Sequence, residues 1–222
     1  MEAGDYRILI RGAGELASAA ALHLYVQGFH RILLLDRRYP KAVRRQVCFS
    51  EAILEGRQEI HGVKARFAGS FQSVEKVHDV DEIAVSVFGL QEALEGWQPD
   101  IFIEAAMLRR NWGLTRELAP VVIALGPGYV AKQDCHAVVE TKRGHDLGRV
   151  IWKGPAAPNT GRPGTLGGAS TDRLVRSPVD GTVEWSVRIG DLVREGDQIG
   201  NVDGAPVMAA TSGVVRGLIA PG

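Results

Sequence analysis

A doubly wound, mainly parallel α/β sheet followed by a small all-β module is the architecture predicted by the sequence, and three observations predict it. Ile8-Leu9-Ile10-Arg11 runs as a short apolar strand into the turn Gly12-Ala13-Gly14-Glu15-Leu16-Ala17 and then into alanine-rich sequence. Ile32-Leu33-Leu34-Leu35 is a continuous apolar run closed by Asp36, the pattern of a parallel strand buried on both faces. Beyond a Gly/Pro-rich stretch the texture changes to short alternating strands separated by turn residues.

In the glycine turn each small residue has a task. The first glycine permits the tight reversal, the second lets a phosphate approach the backbone, and a small third residue, here Ala17, lets helix and strand pack closely. Ser18 to Gln27 is predicted to be a helix that stops at Gly28. Asp36 then falls about 20 residues beyond the glycines, where an acidic residue meets a ribose in Rossmann-like folds. Arg37 and Arg38 follow it, and Arg44 and Arg45 come soon after; they suit either a phosphoryl group or a solvated surface. Glu59 to Phe71 reads as irregular strand turning at Gly62 and Gly69, and Glu82 to Phe88 alternates weakly. Ile101-Phe102-Ile103 is a further strand, entered from Gln98-Pro99 and ending in Glu104.

Glu104 is followed by Arg109, Arg110 and Asn111, and Pro120 to Leu125 leads into Gly126-Pro127-Gly128-Tyr129. In an open parallel sheet the carboxyl ends of the strands line one edge, and ligands bind there. Gly12, Gly14, Asp36, Glu104, Arg109, Arg110, Gly126 and Gly128 are therefore the candidate cofactor-binding residues. The densest polar stretch, Asp134 to Arg149, supplies His136, Glu140, His145 and Asp146 as candidates to face a reacting group. His136 and Glu140 share a face whether the segment is strand or helix. Val138-Val139 and Val150-Ile151-Trp152 favour two strands turning at Arg143-Gly144-His145-Asp146. The same side chains with Asp134 would suit zinc or a non-haem metal, or acid–base work, or a hydrogen-bonded structural turn. No ligand spacing singles out a metal.

The 222 residues carry 26 Lys+Arg against 26 Asp+Glu. This balance gives no long-range field toward nucleic acid or an acidic membrane surface. Two cysteines, Cys48 and Cys135, are too few for a disulfide scaffold and suit a reducing compartment. Neither a signal peptide nor a membrane span is read from the apolar start, which Arg11, Glu15 and His23 interrupt. The expected location is the cytoplasm.

Residues 1–153 are expected to form the nucleotide-binding domain, 154–172 a linker, and 173–222 the second domain. The linker carries a density of Gly and Pro that no helix or central strand tolerates. In the tail, Pro178-Val179-Asp180-Gly181-Thr182-Val183 aligns with Ala210-Thr211-Ser212-Gly213-Val214-Val215, and Gly190 then falls on Gly222. The second copy stops where the first continues, so a partial module and a longer natural chain are expected. This tail resembles the barrel-sandwich hybrid of biotinyl and lipoyl carriers. Their prosthetic group rides on a lysine between the halves, here expected near Pro206 to Ala209. No lysine follows Lys153, which excludes covalent biotin or lipoate on the tail.

Taken together, "RGAGELAS", "RRQVCFSEA", "GPGY", "HAVVETKRGHDLGRVIW", "PNTGRPG" and the lysine-free tail resemble the YqeB-type proteins of the selenium-dependent molybdenum hydroxylase system. The resemblance runs from about Arg7 to the C-terminus. It implies a process, maturation of or cofactor supply to molybdenum hydroxylases, with no catalytic residues to carry over. The expected function is an accessory protein that binds a nucleotide-containing ligand, such as a molybdopterin dinucleotide, at the carboxyl edge of the sheet. A hydroxylase subunit is the expected protein partner. The alternatives are an NAD(P)-dependent oxidoreductase and a non-enzymatic scaffold that docks a hydroxylase subunit.

Overall fold

The computed structural model describes residues 2–108, 110–159 and 173–221. It divides into two compact units, one built from residues up to 40 with 46–159, the other from 41–45 with the described tail.

The first unit contains, in chain order, β1 (Ile8–Arg11), α1 (Glu15–Val26), β2 (Ile32–Leu35), α2 (Glu51–Glu55), β3 (Arg57–Ile60), β4 (Val63–Phe67), α3 (Phe71–His78), β5 (Ile83–Ser86) and α4 (Leu90–Trp97). It continues with β6 (Ile101–Glu104), β7 (Val121–Leu125), β8 (Val130–Ala131), β9 (Ala137–Val139), β10 (Val150–Ile151) and β11 (Gly154–Pro155). Nine of these strands form one sheet in the order β10-β9-β7-β6-β1-β2-β5-β4-β3. All neighbours are parallel except the two edges, where β3 pairs antiparallel with β4 and β10 with β9. The inner order β5-β2-β1-β6-β7-β9 reproduces the 3-2-1-4-5-6 order of a doubly wound sheet, with the β3–β4 hairpin added at one side.

Side-chain alternation sends each strand's residues to two cores. Ile8, Ile10, Ile32 and Leu34 pack with Ala17 and Ala21 of α1 and Ala52 of α2. Leu9, Leu33, Leu35 and Phe102 pack on the other face with Val74 and Val77 of α3 and Ala93 and Trp97 of α4. Small residues on α1 bring it close to the sheet. The helix ends in paired hydrogen bonds, Gly28 N–H to Tyr25 C=O at 3.0 Å and Phe29 N–H to Leu24 C=O at 3.1 Å, with Gly28 at φ 91°.

Several details differ from the sequence expectation. Glu59 to Phe71 is regular: β3 and β4 form a hairpin in which Ile60 faces Val63 across His61-Gly62, both at positive φ, the geometry of a two-residue hairpin turn. Phe71–His78 and Leu90–Trp97 are helices, started by the Ser70 and Ser73 hydroxyls and by Glu92 on the Gly89 N–H respectively. The first unit extends to Asn159, past 153, because Gly154–Pro155 pairs with Val130–Ala131. Of the expected linker, residues 160–172 lie outside the described residues.

The second unit contains β12 (Val183–Trp185), β13 (Leu192–Val193), β14 (Gln198–Val202), β15 (Ala205–Met208) and β16 (Gly213–Val214). They form an antiparallel sheet β12-β14-β15 and a separate antiparallel pair β13-β16. Val183, Ile199, Val202, Val207 and Ala209 make its small core. Its tight hairpin turns at Asp203-Gly204, between Val202 and Ala205, ahead of the 206–209 stretch. Within the same unit, Leu218 N–H donates to Val43 C=O at 2.8 Å.

Candidate functional site

Strand register brings the predicted ends together. Arg11 at the end of β1 lies opposite Leu35 on β2 and Glu104 on β6, and Glu104 lies opposite Ala124 on β7. The glycine turn, Asp36, the loop after Glu104 and the Gly126-Pro127-Gly128 turn thus share the carboxyl edge. β1 is the switch point: the chain leaves it toward β2 on one side and returns to β6 on the other.

The two glycines of the turn differ. Gly12 has φ 109°, and a β-carbon on it would stand 3.0 Å from the carbonyl of Ala105 and the nitrogen of Ala106. It is therefore required by close packing against the loop after β6. Gly14 caps α1 with φ −73°, and a β-carbon there would meet nothing within 4 Å. Neither packing nor backbone conformation demands a glycine at 14, where it serves as a favoured helix cap, and open space stands over its α-carbon at the helix start. Glu15 is exposed.

Asp36 holds this turn. Its Oδ2 accepts from Ala13 N–H at 2.9 Å and its Oδ1 from Arg37 N–H at 2.8 Å. Ser18 Oγ donates to Ala13 C=O at 3.0 Å and accepts from Phe49 N–H at 2.8 Å, while Ser50 N–H donates to the same carbonyl at 2.9 Å. The Cys48–Ser50 segment is thereby pinned under the glycine turn.

Glu104 is fully buried. It pairs with the Arg11 guanidinium and accepts from Ala106 N–H at 3.0 Å. Burial pushes its carboxyl up, against the pull of Arg11 and the Ala106 amide. The Tyr129 phenol, 1% exposed, neighbours the pair; burial raises it to about 12, and Glu104 adds to the rise. Arg11 and Tyr129 carried no role in the sequence reading. The signal that could have found them is an arginine closing an otherwise apolar strand, which needs a buried partner.

The polar stretch separates. His136 lies before β9, at the amino edge: its Nδ1 accepts from Val122 N–H at 2.9 Å and its own N–H donates to Val122 C=O at 2.8 Å. Glu140 follows β9 at the carboxyl edge, so the length of the strand lies between the two. Glu140 is 5% exposed, and its carboxylate accepts from Lys142 and Ala157 N–H, both at 2.7 Å. Burial raises its pKa, but the Ala157, Lys142 and Thr141 amides together hold it below the usual carboxylate range. It clamps the chain through these amides. His145 and Asp146 are exposed on the turn between β9 and β10, where Asp146 accepts Arg149 N–H at 2.9 Å through its carbonyl. Among the described residues no group of three or more His, Cys, Asp or Glu could hold a metal ion.

Gly126 has φ 82° and Gly128 φ 107°; a β-carbon on Gly126 would strike Thr141 Oγ1 at 2.6 Å and stand 3.6 Å from Met107 Sδ. Arg110 stacks on Trp112, its Cζ 3.9 Å from the ring centroid. Arg109 lies outside the described residues. A hollow of about 560 Å³ lined by Pro99, Asp100, Ala119 and Pro120 sits at the opposite, amino edge. No helix among the described residues is long and apolar enough to cross a membrane.

The molecule is thus a mixed α/β protein with a large, mostly parallel sheet whose glycine turn lies at the switch point, accompanied by small antiparallel sheets. Over 219 residues, 99% of its length, it is 41% identical to the uncharacterized protein YqeB of Escherichia coli K12. That likeness supports a YqeB-type protein. The chain spans 40% of the length of that relative. No protein-family model matches the chain, and no solved structure matches it.

Proposed function

We propose that this chain binds a nucleotide-containing ligand at the carboxyl edge of its sheet and serves as an accessory protein in the maturation of molybdenum hydroxylases. The observation that carries the binding half is Gly14: a capping glycine at the switch point, with ordinary φ and open space over its α-carbon. A phosphate there would accept from amides at the start of α1 and gain from the helix dipole. Asp36 keeps the turn in shape for it, and its oxygens retain lone pairs for a ribose hydroxyl. A pterin dinucleotide carries a pyrophosphate, so this turn suits it as well as NAD(P). The resemblance to YqeB-type proteins supports the maturation half.

The test is thermal stabilisation by pyrophosphate, ADP, CTP, NAD⁺ and NADP⁺, with native mass spectrometry of whatever co-purifies. A ligand at 100 times its Kd stabilises by about 2.7 kcal/mol. Stabilisation that disappears in Gly14→Ala is expected, because the methyl group occupies the phosphate approach. Failure of the whole panel, with no nucleotide retained in native spectra, overturns the proposal. Binding confined to NAD(H) and lost in Asp36→Ala would favour the oxidoreductase reading instead.

A further inference from the structure

Resting on that nucleotide reading, we infer that the loop following β6 is a stacking platform for the planar heterocycle of the bound ligand, with Trp112 and Arg110 as its surface and Met107 at its edge. The loop begins against the glycine turn, since Gly12 is packed on the Ala105–Ala106 peptide. Its first residues, as far as Met107 beside Gly126, therefore border the same carboxyl edge as the phosphate site. Trp112 is 57% exposed and Met107 45% exposed, and an indole left in water forgoes the burial that usually fixes tryptophan in a fold.

The exposure is held in place by its neighbours. Asn111 Oδ1 accepts from Leu114 N–H at 2.7 Å, and Asn111 Nδ2 donates to Leu114 C=O at 2.9 Å. Leu114 itself is 2% exposed and anchored in the core. Trp112 and Gly113, the latter at φ 90°, form the tip of this clamped turn. Arg110 lies on the indole, which orients the ring and adds a cation to the platform. Met107 adopts φ 55°, a conformation that side chains other than glycine enter at a cost and that clusters at ligand sites. Its thioether lies toward Gly126, so the β6 and β7 loops meet there. Aromatic and arginine planes of this kind stack on any nucleobase or pterin without reading its edges. The ligand class is a phosphorylated planar heterocycle, with its phosphate at Gly14 and its ring on Trp112.

The experiment is calorimetric titration of the 222-residue chain with ADP and with pyrophosphate, in wild type, Trp112→Ala, Trp112→Phe and Gly14→Ala. Trp112→Ala is expected to weaken ADP by about 5- to 150-fold while leaving pyrophosphate within about twofold, and Trp112→Phe to restore most of the loss. Wild-type ADP binding that disappears in Gly14→Ala yet ignores Trp112→Ala overturns the platform and leaves the phosphate site standing. ADP binding no tighter than pyrophosphate does the same. If neither probe binds, the platform fails, and the nucleotide reading falls with it only when the wider ligand panel fails as well.

Discussion

Replacing Gly12 and Gly14 separately by alanine should split two roles that the Gly-x-Gly pattern merges. At Gly12 the new methyl would stand 3.0 Å from backbone atoms of Ala105 and Ala106, which cannot swing away as a side-chain tip can. The residue must also keep φ 109°, and such a backbone costs a side-chain-bearing residue roughly 1–3 kcal/mol. Overpacking adds about 1–3 kcal/mol. Partial relief by backbone adjustment leaves on the order of 3 kcal/mol, a fall in Tm of roughly 6–12 °C for a chain of this size. At Gly14 no atom lies within 4 Å and φ is −73°. Alanine there loses about 0.5–1 kcal/mol as a helix cap. It recovers about 0.4–1 kcal/mol from reduced freedom of the unfolded chain. The Gly14→Ala melt should therefore stay within about 3 °C of wild type, while pyrophosphate stabilisation is lost. Differential scanning calorimetry with and without pyrophosphate reads both quantities. A Gly12→Ala melt indistinguishable from wild type, or a Gly14→Ala melt equally depressed, would refute this reasoning.

Three other perturbations probe the frame of the site. Glu104→Gln strands the Arg11 guanidinium and should cost about 3 kcal/mol in urea unfolding, whereas the double change Arg11→Met with Glu104→Leu should recover most of it; equal losses in both would show that the ion pair is not the issue. His78, whose Nε2 faces Ile32 C=O at 3.0 Å, has its pKa lowered chiefly by burial. The folded state thus holds it neutral while the unfolded chain takes a proton near pH 6.5, so stability is full above that pH and declines as pH falls toward the lower folded pKa. His78→Phe should flatten this part of the pH–stability curve, and an NMR titration placing His78 at or above its ordinary value would contradict it. Glu140→Gln weakens the clamp on Lys142 and Ala157, costing about 1–3 kcal/mol, and should speed proteolysis of residues 141–149; an unchanged cleavage rate would count against the clamp.

Much of the sheet was legible in the residues because its signals are local. An apolar run of four residues, a glycine turn and a terminal acid identify β1, α1 and β2 from covalent order alone, and an Asp or Glu at a strand's end is visible without knowing the strand's neighbours. The Gly/Pro-rich stretch marked the change of texture, but the boundary moved because β11 pairs with β8, a contact between segments distant in sequence. Helices α3 and α4 escaped notice because each is only eight residues long and is started by a side-chain hydrogen bond rather than by a long periodic pattern.

Residue order alone implies that several strands deliver glycines and carboxylates to one edge. What each does there follows from how the strands pair and pack. Asp36 and Glu104 look alike as strand-ending acids, yet one braces the glycine turn and the other is buried against Arg11. His136 and Glu140, four positions apart, fall on opposite edges because β9 runs between them. An ionisable side chain's role depends on which donors reach it and how much water is excluded, and both are set by segments remote in sequence. The same holds for the two glycines: their spacing is a sequence property, but the β6 loop packed on Gly12 and the open space over Gly14 exist only once β6 has paired with β1.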